Sequence, residues 1–182
     1  EAVLAGREGG GGADATYGGG EVRGITLLMG AAMYGHERVV ELLLRHGAEI
    51  NLQSSIGNTA LMLAATKGHE RVVDMLMQHG AEVNLQDSGG GTALMLAARG
   101  GFPTAVLRLL WAGADAKARS ADGRSALQIA KKEAAKVLAT ADAASAPETD
   151  HAGCVRALTE HAAALREAEA AEKAAEKALE AK

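Results

Sequence analysis

Six histidines are the residues of this sequence that most directly suggest metal binding or acid–base chemistry. Imidazole is a frequent zinc ligand, and it exchanges protons near neutral pH. The segment that starts at His36 reads HERVV, so it lacks the second histidine of the zinc motif HExxH. His36 and His69 are 33 residues apart, and His46 and His79 are separated by the same interval. Side chains repeated at one interval form a row and do not converge on a point, so we predict structural histidines and no metal site.

Candidates for nucleophilic or carboxylate chemistry are also few. Cys154 is the only cysteine, which excludes an internal disulfide and favours a reducing, intracellular compartment, cytoplasmic or nuclear. Glu148 and Asp150 lie close together, but Pro147 marks their surroundings as a solvated loop. No serine stands in a GxSxG motif. We therefore predict neither catalysis nor a cofactor in this segment.

Composition narrows the class of partner. The chain has 182 residues, a formal net charge of -4 and only 2% aromatic residues. Nucleic acids need cationic surfaces for their phosphates and aromatic rings for unpaired bases, so we expect no nucleic-acid partner. No apolar run is long enough to cross a bilayer and no leader is recognisable, so we expect no membrane partner. The first residue is Glu1 rather than methionine, from which we expect a fragment of a longer protein.

The positions of the candidate residues follow from a repeat of 33 residues. The blocks GITLLMGAAMYGHERVVELLLRHGAEIN, GNTALMLAATKGHERVVDMLMQHGAEVN and GGTALMLAARGGFPTAVLRLLWAGADAK resemble the ankyrin repeat. The resemblance implies an all-α solenoid of stacked helix-turn-helix units with β-hairpin loops, and a protein that binds other proteins. Each unit starts with a glycine and, two residues later, a hydroxyl side chain: Gly24, Gly57, Gly90 and Gly123, and Thr26, Thr59, Thr92 and Ser125.

The repeat predicts the organisation of the whole chain. Full repeats are expected at residues 24–56, 57–89 and 90–122, and an atypical capping repeat at 123–162 with an insertion at about 139–150. Residues 163–182 are rich in Ala, Glu and Lys, which favour a helical extension. The glycine-rich residues 1–23 are interpreted as a degraded partial repeat in which residues 1–10 are the tail of an outer helix. The alternative for this segment is a flexible linker.

Helix boundaries within a repeat follow from capping signals. Thr59 is a suitable N-cap for the inner helix, and Gly68 can adopt the left-handed conformation that ends it. Repeat 1 has Gly30 where the next two repeats have Leu63 and Leu96. Because a glycine inside a helix costs about 1 kcal/mol relative to alanine, we expect this end of the chain to be the weaker one.

The repeats depart from the family in its TPLH motif, since they read TLLM, TALM, TALM and SALQ. In the family, the histidine of this motif connects adjacent loops by hydrogen bonds. Met29, Met62 and Met95 fill space but leave these bonds unmade. We therefore expect looser coupling between successive hairpins.

Repeat 4 resumes the family pattern after the insertion. The sequence HAGCVRAL from His151 aligns with HERVVELL from His36. Cys154 therefore corresponds to Val39 and Val72, which we expect to face the core. By this alignment Cys154 is a small buried residue and not an activated thiolate.

The outer helix of repeat 4 lacks a stop signal, because Ala162 stands where the first three repeats have glycine. We expect the helix to continue through residues 163–182, with Glu169 and Lys173 forming a favourable pair four residues apart. The stripe of apolar residues along this helix is interrupted by Glu169 and Glu172, so the helix is a poor candidate for a coiled coil. We expect a solvated cap on a monomer, and an oligomerisation helix is the alternative.

Trp111 occupies the position of Arg45 and Gln78, which predicts a side chain near the end of an outer helix, facing solvent. A large exposed aromatic ring needs an explanation. We expect C-terminal residues to cover it, and the alternative is that it forms a second contact with a partner.

The resemblance places the binding face on the hairpin tips and on the exposed side of the inner helices. We expect a groove that is apolar and aromatic at one end, anchored by Tyr34 and Ile56, and basic at the other, suited to a protein or peptide with an acidic portion. The alternatives are that these residues are merely solvated, or that the repeats only support the C-terminal helix as a structural spacer or assembly element. The candidate contact residues are Met33, Tyr34, Gln53, Ser55, Ile56, Asn58, Thr66, Lys67, Gln86, Ser88, Arg99, Arg119, Asp122 and Arg124.

Overall fold

The computed structural model describes residues 7–8, 14, 16–19, 22–139 and 150–180. In this part of the chain, three short strands precede eight helices. The strands are β1 (Arg7–Glu8), β2 (Thr16–Gly19) and β3 (Val22–Thr26), which pair antiparallel in that order. The helices are α1 (Leu27–Met33), α2 (Glu37–Arg45), α3 (Ala60–Lys67), α4 (Glu70–Gln78), α5 (Ala93–Gly100), α6 (Pro103–Trp111), α7 (Ala126–Ala139) and α8 (His151–Glu180).

The helices form two layers. The inner helices α1, α3, α5 and α7 pack on one another in chain order, and so do the outer helices α2, α4, α6 and α8. Each inner helix also packs on the outer helix that follows it. Contacts therefore connect neighbouring repeats, as in a solenoid. The predicted all-α repeat solenoid with a long C-terminal helix is confirmed.

The inner helices begin where the sequence predicts them to. The hydroxyl oxygens of Thr26, Thr59 and Thr92 accept hydrogen bonds from backbone N–H groups three residues later, at 3.1, 3.2 and 3.4 Å. These three threonines are almost fully buried, so the caps replace water for N–H groups that have no partner within the helix. Gly68 has a φ of 71°, in the left-handed region, and ends α3 as expected.

The core lies between the two layers and between successive repeats. Leu61 and Leu94 of the inner helices and Leu76 and Leu109 of the outer helices are buried. Alanines such as those at the centre of α3 are fully buried as well, and their small side chains let neighbouring helices approach closely. The scarcity of aromatic residues is thus compensated by close helix packing.

The first outer helix departs from the expected core pattern. Val72 and Cys154 are fully buried, as predicted, but Val39 is 46% exposed, so the prediction that it faces the core is wrong. The helices α4 and α8 pack on the preceding outer helices α2 and α6. Among the described residues, no outer helix precedes α2, and this explains the exposure of Val39.

The N-terminal segment is extended where the structure describes it. Arg7 and Glu8 form strand β1, so the prediction of a helix tail is wrong at these two residues. The carboxylate of Asp14 accepts a hydrogen bond from the backbone N–H of Glu49 at 2.7 Å. The side chains of Asn51 and Asn84 make the same contact with the repeat that follows them. Residues 1–6, 9–13, 15 and 20–21 lie outside the described part, and the proposed repeat boundaries stay predictions.

The hairpins are connected by hydrogen bonds that the sequence analysis did not foresee. Met29, Met62 and Met95 are buried and fill space as expected. The loops are joined instead through their backbones: Ser55 N–H to Arg23 C=O at 2.9 Å, Ser88 N–H to Ile56 C=O at 3.0 Å and Ala121 N–H to Gly89 C=O at 2.8 Å. A connection between hairpins therefore exists without the histidine of TPLH, and the expected looser coupling stays a prediction.

Repeat 4 ends in one continuous helix. α7 is longer than the other inner helices, and α8 begins at His151 and runs past Ala162 to Glu180. The continuation predicted from the missing glycine is confirmed as far as Glu180. Most of the predicted insertion, at residues 140–149, lies outside the described residues.

Candidate functional site

A cavity of about 450 Å³ opens on the concave side of the solenoid, between the hairpin tips and the inner helices of repeats 2 and 3. Five of the predicted contact residues line it: Ile56, Asn58, Thr66, Ser88 and Arg99. The structure thus brings together tip residues from two hairpins and residues from α3 and α5. A concave apolar site with a few polar groups is the usual form of a binding site.

Leu63 and Leu96 also line this cavity, and sequence reasoning missed them as candidates. They precede Thr66 and Arg99 by three residues, which places each pair on one face of its helix. This spacing is the signal that could have identified them. Leu96 is buried and Leu63 is half-buried, so the cavity has an apolar wall on the side of the inner helices.

The tip between repeats 2 and 3 is held by Asp87, a further residue that the sequence analysis did not single out. Its Oδ1 accepts hydrogen bonds from the backbone N–H groups of Gly89 at 2.8 Å and Gly91 at 2.7 Å. Gly57 has a φ of 78°, and a Cβ added there would lie 2.8 Å from the Asp87 Cα atom. The tips are therefore closely packed, and Ile56 projects from a well-supported loop with 37% of its surface exposed.

Glutamine side chains reinforce the tips. The Nε2 atom of Gln53 donates to the carbonyl oxygens of Gly57 at 2.9 Å and Gln86 at 3.0 Å. Gln86 donates in the same way to Gly90 at 3.1 Å and to Arg119 at 3.3 Å. The amide groups of these two predicted contact residues are thus engaged in connecting the hairpins. The hydroxyl of Ser55 is engaged as well, because it accepts from the Arg23 N–H at 2.9 Å.

The basic residues predicted at one end of the groove differ in whether their charges are paired. Arg124 forms an ion pair with Asp122 at 2.7 Å. The pKa of Asp122 lies below its ordinary value because Ser120 donates a hydrogen bond to the carboxylate and Arg124 lies close to it. Arg119 donates to the Gly123 carbonyl at 2.8 Å. In the described part of the chain, the side chains of Lys67 and Arg99 have no ion-pair or hydrogen-bond partner, so they carry the accessible positive charge.

Tyr34 and Met33 lie at the other end of the inner-helix row, at the end of α1. Tyr34 is 68% exposed, and its ring stacks on the imidazole of His36 with 6.1 Å between ring centroids. Met33 is half-buried. Neither residue lines the cavity at Ile56, so Tyr34 belongs to a separate part of the concave face.

Trp111 is 79% exposed, so the prediction that C-terminal residues cover it is wrong for the chain as described. Its neighbours Leu109 and Leu110 are buried, which directs the Trp111 side chain away from the core. α8 packs on α6. The buried side chains of α8 include Cys154 and Leu158, and the contact leaves Trp111 in solvent.

Four of the histidines form hydrogen bonds with backbone carbonyl groups. The ring of His69 donates from Nε2 to the Met33 carbonyl of the preceding repeat at 3.1 Å, and His151 does the same to Arg99 at 2.9 Å. His46 and His79 donate from Nδ1 to the carbonyls of Leu42 and Met75 in their own helices, at 2.8 Å each. Within the described ranges, no group of three or more His, Cys, Asp or Glu side chains could hold a metal ion. The contacts of His69 and His151 connect neighbouring repeats, whereas those of His46 and His79 stay within one helix.

Cys154 is fully buried at the start of α8. Burial raises the pKa of its thiol to about 12, and the negative charge of Asp150 contributes to the shift. A thiol with this pKa is protonated at neutral pH and is a poor nucleophile. Glu148, the other acid of the predicted loop, lies outside the described residues.

The two layers of helices define an α-helical repeat solenoid with a cavity on its hairpin side. The family model described as "Ankyrin repeats (3 copies)" matches residues 10–87, and "Ankyrin repeats (many copies)" matches residues 76–130. Together these matches span about two thirds of the chain, which belongs to the ankyrin repeat family. Ankyrin repeats are generally protein–protein interaction modules. A search of curated proteins finds no significant match. No helix of the described chain combines the length and apolar character needed to cross a membrane.

Proposed function

We propose that this chain is an adapter that holds a partner protein on its concave face without changing it chemically. The observation that carries the proposal is the cavity between repeats 2 and 3, where Ile56, Leu63 and Leu96 provide apolar surface beside the exposed guanidinium of Arg99. An intracellular location, cytoplasmic or nuclear, fits the single buried cysteine.

The charges beside the cavity favour a partner segment with acidic residues. Lys67 and Arg99 lie near the C-terminal ends of the neighbouring inner helices α3 and α5, and neither is paired within the described residues. Asp87 is the acid that lines the cavity, and its Oδ1 is engaged by two backbone N–H groups. We propose that an apolar side chain of the partner enters beside Leu63 and Leu96 while a carboxylate next to it pairs with Arg99.

The hairpin tips support this mode of binding. The tip backbones are connected to one another and the Gln53 and Gln86 amides bridge them, so the surface is preorganised. A surface that is already ordered loses little conformational entropy when a partner binds. The partner segment can therefore be short and extended.

The test is affinity capture with two variants of matched chemistry. The groove variant carries Ile56→Ser, Lys67→Glu and Arg99→Glu. The control variant carries Leu42→Ser, Arg38→Glu and Arg156→Glu, which make the same kinds of change at exposed positions of outer helices. Circular dichroism first establishes that both variants are folded, and the proteins captured from lysate are then identified by mass spectrometry.

The proposal expects a partner that is retained by the original chain and by the control variant and is lost with the groove variant. Its affinity should fall as salt concentration rises, because charge pairing contributes to binding. Equal retention by both variants, or loss only with the control variant, would contradict the proposal.

A structural spacer or assembly element is the second candidate function. The observation that favours it is α8, whose residues 163–174 are all exposed and continue the helix past the position at which the earlier outer helices end. Sedimentation velocity over a hundredfold range of concentration separates the two. The adapter proposal expects a monomer at every concentration, whereas an assembly role through self-association requires the mass to rise.

A further inference from the structure

A second concavity, of about 240 Å³, lies at the C-terminal end of the solenoid between the third hairpin, α7 and α8. Leu127, Leu158 and Leu165 form much of its apolar wall, and Lys117, Arg166 and Glu169 supply its charged groups. None of these residues lines the cavity at Ile56, so this pocket is separate from the proposed adapter site.

The pocket arises because the repeat pattern changes at this point. In repeats 1 and 2, a hairpin asparagine bonds to the hairpin that follows; the Asn51 Oδ1 accepts from Glu82 N–H at 2.9 Å. Lys117 stands at the equivalent position of repeat 3, and its ammonium group meets Glu169 of α8 at 3.3 Å. The helix α8 thus takes the place of a hairpin at this position. Leu127 is left half-buried, although its counterpart Leu94 is fully buried.

The size of the pocket limits what it can hold. Sites for complete drug-sized ligands usually exceed about 300 Å³. A pocket of about 240 Å³ suits one apolar group of the size of a single side chain or a short alkyl chain. The three leucines provide the apolar contact, and the open side leads to the charged groups.

The charged side chains at the open side of the pocket favour a ligand that carries a negative charge beside its apolar group. The Arg166 side chain has no ion-pair or hydrogen-bond partner among the described residues. Lys117 is paired with Glu169, but both side chains are more than half exposed, and such surface pairs contribute little. A ligand carboxylate could therefore bind Arg166 and compete with Glu169 for Lys117.

We propose that this pocket binds an aliphatic carboxylate, in which the alkyl group contacts Leu127, Leu158 and Leu165 and the carboxylate meets Arg166 and Lys117. The same chemistry occurs in the C-terminal aliphatic residue of a peptide and in a free short-chain carboxylic acid. The site is independent of the concave face and adds a second specificity to the chain.

The test uses two pairs of probes with methyl-labelled protein. The first pair is hexanoate and hexanamide, and the second is an acetylated tripeptide ending in leucine, with a free carboxylate or as the C-terminal amide. The proposal expects at least one acid to shift the methyl signals of Leu127, Leu158 and Leu165, and its amide to bind about tenfold more weakly, since a charge-assisted contact is lost. Binding of the peptide acid alone would assign the site to peptide C-termini, whereas binding of both acids would include free acids.

Matched variants test the roles of the charges. Lys117→Gln with Arg166→Gln should weaken binding of the acid about tenfold, and Lys131→Gln with Arg156→Gln, at exposed positions outside the pocket, should leave it unchanged. Glu169→Gln should tighten binding about threefold, because it frees Lys117 from its carboxylate partner. If that ion pair were purely structural, Glu169→Gln would not tighten binding of the acid. Equal binding of acids and amides, absence of binding by all four probes, or equal weakening in both double variants would overturn the proposal.

Discussion

Replacing Gly30 with alanine should stabilise the chain, because Gly30 lies inside α1 at a position that does not need glycine. Its φ is not among the positive values that ten other glycines have in the described part of the chain. A Cβ added to Gly30 would have no other heavy atom within 4 Å outside its immediate surroundings in the helix. Alanine therefore gains helix propensity without steric conflict, and we expect the free energy of unfolding to rise by about 1 kcal/mol.

The assay combines urea unfolding, followed by far-ultraviolet circular dichroism, with amide hydrogen exchange in α1. Both are needed because a repeat array can open from one end before the rest unfolds. If repeat 1 opens first, the gain appears as exchange about fivefold slower in α1, the factor that corresponds to about 1 kcal/mol.

Gly57→Ala is the matched control for Gly30→Ala. Gly57 has a φ of 78°, and its added Cβ would lie 2.8 Å from the Asp87 Cα and Ser88 N atoms of the next hairpin. We expect this variant to lose at least about 1 kcal/mol, since both the backbone conformation and the packing oppose a side chain. Unchanged or reduced stability of Gly30→Ala would show that Gly30 does not weaken the first repeat.

Two further predictions concern capping and pH. Thr59→Ala should destabilise the chain by about 1–2 kcal/mol in urea unfolding, since the buried Met62 N–H loses its acceptor, whereas Thr59→Ser should retain most of the stability. Stability should fall as the pH rises from about 9 towards 12, because the Cys154 thiol has an ordinary pKa of 9.0 but one of about 12 when folded, so the unfolded chain loses this proton first. In unfolding experiments across that range, the stability of Cys154→Ala should fall less with pH than that of the original chain. An unchanged pH dependence in this variant would contradict the prediction.

Much of the fold could be predicted because its signals are local and repeated. Thr59 caps α3 through a bond that spans three residues, and Gly68 ends the same helix with a left-handed φ. Ala162 replaces the glycine that follows the earlier outer helices, and α8 accordingly continues to Glu180. Each of these features depends on nearby residues, which a single sequence displays directly.

The features that escaped prediction depend on contacts between distant parts of the chain. The exposure of Val39 follows from the lack of a preceding outer helix among the described residues, and that of Trp111 follows from the face on which α8 packs. Strand β1 pairs with β2 across intervening residues, so its two residues carry no local strand signal. The bonds of Gln53 to the neighbouring hairpin likewise require the stacked geometry.

The candidate site was also predictable in part, where the repeat alignment sufficed, and unpredictable where contacts decide. The repeat alignment brought Ile56, Thr66 and Arg99 to the concave face, where the structure places them around one cavity. It did not show that Arg124 is paired with Asp122, because that contact depends on side-chain conformation at the tip. Leu63 and Leu96 were passed over because they were considered only as packing residues of the helix.

The most direct test of partner binding on the concave face is a methyl NMR titration of the labelled chain with a segment of the partner found by capture. We expect the largest shifts at Ile56, Leu63 and Leu96, and no shift at Leu42 on α2. Shifts confined to Leu42 or to Leu165 on α8, with no change at Leu63 and Leu96, would contradict this expectation.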